Sequence, residues 1–207
     1  MARWEPDARG RLEKAAMELF QAHGYTKTTV EEIAAHAGLT ERTFFRYFTD
    51  KREVLFSGSK ELENVIVELI ANAPEDTAPL DVVLEAFVAA GSALQSLREF
   101  SYVRARHALL AEHADLQERE LIKLAALAAV VIKALHGRGV AEPAASMAAE
   151  AGIAAFKVGF ERWVSGKKPH GAAEHIRAAM VALRQIVAES HAPVASAVKR
   201  ERSKPLR

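Results

Sequence analysis

Two short helical segments separated by one tight turn constrain the fold of this chain more than any other feature. The first begins after Thr29, a favourable N-cap residue, and has small and apolar residues at helical spacing. These residues are Ile33, Ala34 and Ala37. Gly38 follows, and glycine tolerates the positive φ with which helices often end. The sequence therefore predicts a short helix that turns sharply and packs against the next one.

The second segment, Glu41 to Phe48, follows the N-cap candidate Thr40. Phe44 and Phe48 lie four residues apart, so they share one face of a helix. The remaining face carries basic, hydroxylated and aromatic side chains, namely Arg42, Thr43, Arg46 and Tyr47. Such a face is typical of a helix-turn-helix whose second helix enters the major groove of DNA.

Helical periodicity continues along nearly the whole chain, and no segment alternates apolar and polar residues as a strand does. We predict an all-α fold of about nine helices. A three-helix helix-turn-helix domain occupies residues 1–50, and a C-terminal helical bundle occupies residues 51–192, beginning with a connecting fourth helix from Lys51 to Ala71. Residues 193–207 form a basic tail, for which disorder is the simpler interpretation.

The composition excludes several classes of protein. Cysteine is absent, so the chain has no disulfide and no thiolate metal site. The N-terminus lacks an apolar signal-peptide core, and the longest apolar run, Leu124 to Ile132, is too short to cross a bilayer. We expect a cytoplasmic protein with no membrane partner. The net charge is only +1, so any affinity for nucleic acid must come from the placement of charges.

The first 56 residues resemble the DNA-binding domain of the TetR family of transcriptional regulators. The resemblance rests on residues that occur in order along one stretch: Ala15-Ala16, Leu19-Phe20, Gly24-Tyr25, Thr28-Thr29, Ile33-Ala34, Ala37-Gly38-Leu39-Thr40, Phe44, Tyr47-Phe48, Lys51 and Val54-Leu55. The rest of the chain agrees with the family in length and helix count. The resemblance implies a homodimeric repressor that binds a palindromic duplex operator and responds to a small-molecule effector, with no cofactor.

The resemblance assigns phosphate contacts to Thr29, Thr40, Tyr47 and Lys51. The chemistry suits this role, because hydroxyls and backbone amides at helix N-termini bind phosphate oxygens well. The two threonines are equally well explained as plain N-caps. Both roles are compatible, since the hydroxyl accepts from the backbone while the helix end faces DNA.

Base contacts fall to Arg42, Thr43, Phe45 and Arg46. Arg42 stands where the family often has a small residue, and arginine is the common bidentate partner of guanine. Phe45 stands where the family often has tyrosine, and its ring can touch a thymine methyl. Arg46 suits a base or a phosphate, and Glu41 is better explained as a charge that stabilises its helix N-terminus.

Three arginines near the N-terminus, Arg3, Arg9 and Arg11, leave two interpretations open. They could form an arm that enters the minor groove, or they could belong to the solvated start of the first helix.

The resemblance also implies an effector pocket and a dimer interface in the helical bundle. Candidate pocket residues are Phe56, Phe87, Phe100, Tyr102, Arg104, His107 and Trp163, although aromatic residues at helical spacing are more often core. Relatives pair their last two helices across a twofold axis. The candidate interface is a stripe of small and apolar residues, Ala149, Gly152, Phe156, Gly159, Trp163, Ile176, Met180, Leu183 and Val187.

Two other classes of function, an enzyme and a helical adaptor, compete with this interpretation. An enzyme is disfavoured because the chain has no His-Glu-x-x-His metal motif, no Gly-x-Ser-x-Gly nucleophile motif and no complete phosphate loop. A helical adaptor would explain the helices but not the exposed arginines of the second short helix. The expected mechanism is effector binding that tilts the fourth helix and changes the spacing of the two reading helices.

Overall fold

A computed structural model describes residues 7–168 and 171–189. Within these residues the chain is all-α and forms nine α-helices, as the sequence predicts. The helices are α1 (Ala8–His23), α2 (Val30–His36), α3 (Glu41–Tyr47), α4 (Ser59–Asn72), α5 (Pro79–Leu97), α6 (Phe100–Glu112), α7 (Ala114–Gly137), α8 (Ala144–Ser165) and α9 (Ala172–Glu189). Arg3 and the predicted basic tail of residues 193–207 lie outside the described residues.

Helices α1 to α3 form the N-terminal unit around one apolar core. The core-facing side chains are those that the helical periodicity selects, because residues three and four apart share a face. Fully or almost fully buried members of this core are Leu12, Ala16, Phe20, Ile33, Ala34, Phe44 and Phe48. Phe44 and Phe48, whose ring centroids lie 5.4 Å apart, both belong to this core and so attach α3 to α1 and α2.

The connection from α3 to α4 differs from the predicted continuous helix that begins at Lys51. The Asp50 carboxylate accepts hydrogen bonds from the backbone N–H groups of Arg52 and Glu53 at 2.8 and 3.2 Å. These bonds start a 3₁₀ turn over Glu53–Phe56. Gly58 then adopts a φ of +89° before α4 begins. The prediction was wrong here because a left-handed residue cannot continue a right-handed α-helix.

Helix α5 is the central element of the C-terminal body and packs against α4, α8 and α9. It is the one helix in the described part of the chain that is long and apolar enough to span a membrane. Its apolar character is explained by burial, since Val83 and Phe87 are almost completely covered by neighbouring helices.

The core of the N-terminal unit extends beyond residue 50. Val54, Leu55 and Phe56 belong to it, and so do Leu109, Leu110 and Leu116 from the corner where α6 meets α7. The predicted boundary at residue 50 stays a prediction, but the apolar packing places the 3₁₀ turn with the N-terminal unit. The α6–α7 corner therefore covers the apolar core of this unit and attaches the unit to the body.

Candidate DNA-binding surface and its connection to the helical body

Helix α2 begins with a reciprocal capping box between Thr29 and Glu32. The Thr29 hydroxyl accepts from the Glu32 N–H at 3.1 Å, and the Glu32 carboxylate accepts from the Thr29 N–H at 2.8 Å. Hydrogen bonds from the Thr29 backbone and hydroxyl lower the pKa of Glu32. Thr29 thus acts as an N-cap, and its exposed position leaves the helix end accessible.

The turn between α2 and α3 is built as the sequence predicts. Gly38 has a φ of +67°, and nothing lies within 4 Å of the position that a Cβ would take. The Leu39 N–H donates to the Ala34 carbonyl at 2.8 Å, which closes the C-terminus of α2. Leu39 is half-buried against the N-terminal core and fills the corner of the turn.

Helix α3 has one buried apolar face and one exposed face. Thr40 caps it by accepting from the Thr43 N–H at 3.2 Å. Phe44 is completely buried, whereas Phe45 is 54% exposed. The exposed side chains of the outer face are Glu41, Arg42, Phe45, Arg46 and Tyr47, with Thr43 half-exposed beside them. Seven of the eight candidate DNA contacts therefore lie at the exposed edge of α2 and α3.

Arg46 and Tyr47 are paired on that outer face. The Arg46 guanidinium donates to the Tyr47 hydroxyl at 3.0 Å, and its carbon lies 4.9 Å from the centre of the Tyr47 ring. The pair presents one positive charge and a hydroxyl together at the C-terminal end of α3. One hydrogen bond uses one of the five N–H donors of a guanidinium, so the rest can face a nucleic acid.

The eighth candidate, Lys51, lies in a different environment. Its ammonium donates to the carbonyls of Tyr25, Thr26 and Thr28 at 2.8, 3.2 and 2.9 Å. The phosphate contact implied for Lys51 is therefore in conflict with its geometry, because an ammonium has three N–H donors. The sequence could not show this contact, since it joins residues more than twenty positions apart.

Arg9 is also engaged within the protein. It donates to the Ser57 hydroxyl at 2.9 Å and to the Glu61 carboxylate at 3.0 Å. These bonds tie the first turn of α1 to the start of α4, which favours the interpretation of Arg9 as part of the helix start. Arg11 is a half-buried residue of the same helix.

Several polar contacts besides those of Arg9 attach the N-terminal unit to the body, and sequence reasoning missed them. The buried Glu13 of α1 pairs with Arg98 at 2.7 Å. Glu53 of the 3₁₀ turn pairs with Arg119 and Lys123 of α7 at 2.5 and 2.9 Å. The one available signal was Glu13, a carboxylate on the apolar face of α1, because a buried charge requires a partner.

A third contact joins the α1–α2 turn to α7. The Tyr25 hydroxyl donates to the Asp115 carboxylate at 3.0 Å, and the Tyr25 ring lies 4.8 Å from the His113 ring. Burial raises the pKa of Tyr25, and the bond to Asp115 raises it further. In addition, the Arg106 Nε donates to the Leu55 carbonyl at 2.6 Å, which fixes the 3₁₀ turn to α6.

The candidate effector residues do not form one site. Phe87, Phe100, His107 and Trp163 belong to one column of rings that also includes Phe156 and Phe160, with centroids 5.3 to 5.9 Å apart. Of the other three candidates, Arg104 places its guanidinium carbon 5.8 Å from the centre of the Phe100 ring at the edge of the column, whereas Phe56 and Tyr102 lie elsewhere. Phe56 is buried in the N-terminal core, Tyr102 borders a polar cleft of about 320 Å³ beside α1, and Arg104 is exposed.

Most of the candidate dimer residues are covered within the subunit. Buried members are Ala149, Gly152, Gly159, Trp163, Ile176 and Met180. Phe156 and Leu183 are half-buried against neighbouring helices, and Val187 is 55% exposed. The small-residue stripe was misassigned because it allows α8 to approach α5 and α9 closely. A stripe that one subunit already covers has no surface to offer a partner.

Besides Ile186 and Val187 near the end of α9, several exposed apolar residues of α8 and α9 lie on the faces of these helices opposite the stripe. On α8 they are Met147, Ala154 and Val158, and on α9 they are Ala178 and Val181. Met147, Val158 and Val181 are 69%, 45% and 54% exposed. Their spacing of three, four or seven residues places those of each helix on one face.

The protein thus combines a capped helix-turn-helix with an all-helical body. This combination places it in the helix-turn-helix class of proteins. Residues 12–57 match the family described as bacterial regulatory proteins, tetR family. The N-terminal unit is therefore similar to the DNA-binding segment of this family, and the relatives below agree with that similarity.

One relative is the HTH-type transcriptional regulator TcmR of Streptomyces glaucescens, which is 37% identical over 79 residues. The match covers 38% of this chain and 35% of TcmR. The chain matches between about a fifth and a third of the length of its curated relatives.

Two solved structures show the same fold over most of the chain. Thermus thermophilus FadR, described as a TetR-family transcriptional repressor in complex with lauroyl-CoA, is 23% identical with a TM-score of 0.51, covering 86% of this chain and 93% of that one. SmeT, solved as a complex with triclosan, is 18% identical with a TM-score of 0.56, covering 88% of this chain and 90% of that one.

Proposed function

We propose that this protein is a cytoplasmic transcriptional repressor that binds a palindromic DNA operator as a homodimer and releases it when a small apolar effector enters the helical body. One observation carries the proposal. The outer face of α3 displays Arg42, Phe45, Arg46 and Tyr47, while Phe44 and Phe48 are buried beneath it. An exposed, capped helix with arginines on its outer face has the form that major-groove reading requires.

Within this face, Arg42 is the residue proposed to specify the operator sequence. It lies in the first turn of α3 and is exposed, and the N-terminal residues of a recognition helix are those that reach base edges. The capped starts of α2 and α3, at Thr29 and Thr40, are proposed to hold the phosphates on either side, because helix N-termini attract anions.

The exposed apolar faces of α8 and α9 are the proposed dimer interface. This surface replaces the covered stripe that the sequence suggested. A Val158→Glu or Val181→Glu variant should dissociate the dimer, because a carboxylate would be buried against an apolar partner surface. Leu121→Glu is the matched control, since Leu121 is 60% exposed on α7. Sedimentation equilibrium should give monomers for the first two variants, and a dimer that survives both would reject this interface.

The ring column is the proposed effector site. Phe156 and Phe160 are half-exposed and stack on each other, while Phe87 and Trp163 are buried behind them. An effector that inserts among these rings would bury aromatic surface, and His107, whose ring is 5.8 Å from that of Phe160, offers a polar group for orientation. The apolar lauroyl chain of the FadR ligand and the aromatic rings of triclosan in SmeT agree with this chemistry.

The signal is proposed to travel through the α6–α7 corner and not through a tilt of a continuous fourth helix. Arg9 links α1 to the start of α4, but the break at Gly58 means that α4 does not continue the segment that follows α3. In contrast, α6 and α7 contact the N-terminal unit directly through Arg106, Arg119 and Asp115. His107 belongs to α6 and lies in the ring column, so an effector there contacts the same helix that holds the 3₁₀ turn. Rotation of this corner would change the spacing of the two reading helices.

The proposal is tested by selecting bound sequences from a random duplex library and measuring affinity at several salt concentrations. Affinity for the selected operator should fall steeply with salt, because phosphate contacts release counterions. Arg42→Ala should lose about 1–3 kcal/mol, roughly 5- to 150-fold, on the operator and little on unrelated DNA. Arg104→Ala removes the same charge from the body and should bind like the native protein.

Two outcomes would reject the proposal at different points. A native protein that shows no salt-dependent retention on any duplex would exclude DNA binding. An equal loss on all sequences for Arg42→Ala would show that Arg42 contacts only the backbone.

A further inference from the structure

The Lys51 ammonium lies in a cage of backbone carbonyl oxygens. It donates to Tyr25, Thr26 and Thr28 at 2.8, 3.2 and 2.9 Å. It also lies 4.5 Å from the centre of the Tyr25 ring, where the face of the ring attracts a cation. Three acceptors match the three N–H donors of an ammonium, so its hydrogen-bonding capacity is filled.

These carbonyls belong to the turn that connects α1 to α2. The turn begins at Gly24, which has a φ of +86°, and it lacks a helical ladder to satisfy its carbonyls. The buried Thr28 hydroxyl lies within hydrogen-bonding distance of the Leu19 and Gly24 carbonyls, at 3.3 and 2.9 Å. The hydrogen bonds of Lys51 and Thr28 together fix the backbone of the turn that leads into Thr29.

The environment of Lys51 suits an internal role. Burial lowers the pKa of Lys51, and the nearby Asp115 charge partly opposes this effect. Lys27, in the same turn, is exposed. A lysine that contacted phosphate would be expected to hold its ammonium in solvent in the free protein, as Lys27 does.

We propose that Lys51 is a positioning residue, which sets the α1–α2 turn and so aims the N-terminus of α2 at DNA, and that it does not bind phosphate. Tyr25 extends the arrangement, because it offers its carbonyl and ring to Lys51 and its hydroxyl to Asp115 of α7. The turn is thereby held to the body and to the 3₁₀ region at once. The inference rests on the proposed function insofar as it concerns DNA.

The first experiment uses the free protein and needs no DNA. Hydrogen–deuterium exchange is measured for the amides of residues 26–32 in the native chain, in Lys51→Gln and in the matched control Lys27→Gln. Exchange should rise about 10-fold or more in Lys51→Gln, because the turn loses the group that holds it. It should stay at the native rate in Lys27→Gln. Lys51→Met, which keeps the aliphatic stem over the Tyr25 ring, replaces Lys51→Gln if that variant does not fold.

The second experiment measures operator affinity against salt. A phosphate ligand contributes about 0.9 to the slope of log affinity against log salt, whereas a positioning residue does not. We therefore expect Lys51→Gln to bind about 10-fold or more weakly with the native slope. Lys51→Arg should also stay below native affinity, because a planar guanidinium does not match three converging carbonyls.

The outcomes separate the inference from the proposed function. A slope reduced by about 0.9, together with unchanged amide exchange, would make Lys51 a phosphate ligand and overturn the inference. Native affinity for Lys51→Gln would overturn it as well. A native chain that binds no duplex would reject the proposed function, while the exchange experiment would still decide whether Lys51 holds the turn.

Discussion

The close packing of α8 on α9 at Gly159 leads to a quantitative prediction for Gly159→Ala. A Cβ at this position would lie 2.5 Å from the Ile176 Cα and 2.6 Å from the Ile176 nitrogen. Both are backbone atoms and cannot rotate away. Helix α9 would have to move by about 1 Å to restore an ordinary van der Waals contact.

The expected cost follows from two opposing effects. Overpacking costs about 1–3 kcal/mol, and a clash with backbone belongs at the upper end, about 3 kcal/mol. Alanine recovers about 1 kcal/mol because it is a better helix former than glycine. The net loss is about 2 kcal/mol, which lowers Tm by about 4–8 °C in a chain of this size.

The assay is thermal and urea unfolding at two protein concentrations. A defect inside the subunit lowers Tm by a similar amount at both concentrations, whereas a defect at a dimer interface changes the dependence of Tm on concentration. Gly137→Ala is the control, because no atom lies within 4 Å of its Cβ position, and it should be neutral or stabilise by about 0.4–1 kcal/mol. Native stability for Gly159→Ala, or a loss seen only as weaker dimerisation, would refute the assignment of this stripe to the subunit interior.

Two further predictions concern the junction and the body. Hydrogen bonds from Arg119 and Lys123 outweigh burial and lower the pKa of Glu53 below its usual 4.5. The ionised Glu53 carboxylate therefore contributes its full stabilisation above pH 4.5, and this stabilisation is lost as acid protonates the carboxylate. The free energy of unfolding of Glu53→Gln should lie below the native value at neutral pH, and the gap should close under acid titration; a gap independent of pH would contradict this. Trp163→Ala should cost about 3–5 kcal/mol in urea unfolding, because Trp163 is fully buried, and a loss below about 1 kcal/mol would place Trp163 outside the core.

The structure changes the interpretation of glycine and alanine in α8. From sequence, Gly152 and Gly159 belong to a small-residue stripe, and such a stripe permits close approach to any helix, in the same chain or in another. Coordinates distinguish these cases: a Cβ at Gly152 would clash with Val83 and Phe87 of α5. Residue size alone carries no information about which helix fills the space.

The attachment of the N-terminal unit to the body illustrates a second kind of limit. Each of these contacts joins distant parts of the chain. Glu13 contacts a residue 85 positions later, Glu53 contacts one 66 positions later, and Tyr25 contacts one 90 positions later. Charges of both signs are frequent on all the helices, so their sequence positions do not identify pairs. The pairs form because the α6–α7 corner closes the N-terminal core with Leu109, Leu110 and Leu116.

Local sequence was sufficient wherever a feature depends on neighbours within about one helical turn. The caps at Thr29 and Thr40, the left-handed Gly38 and the buried Phe44 and Phe48 all follow from backbone hydrogen bonding, glycine sterics and the 3.6-residue period. These features made the helix-turn-helix recognisable before any coordinates. Packing between distant segments was needed for the rest: the inward direction of the α8 stripe, the carbonyl cage around Lys51 and the break at Gly58. These features depend on which helices pack together in the folded chain, and the same sequence pattern is compatible with many different packing arrangements.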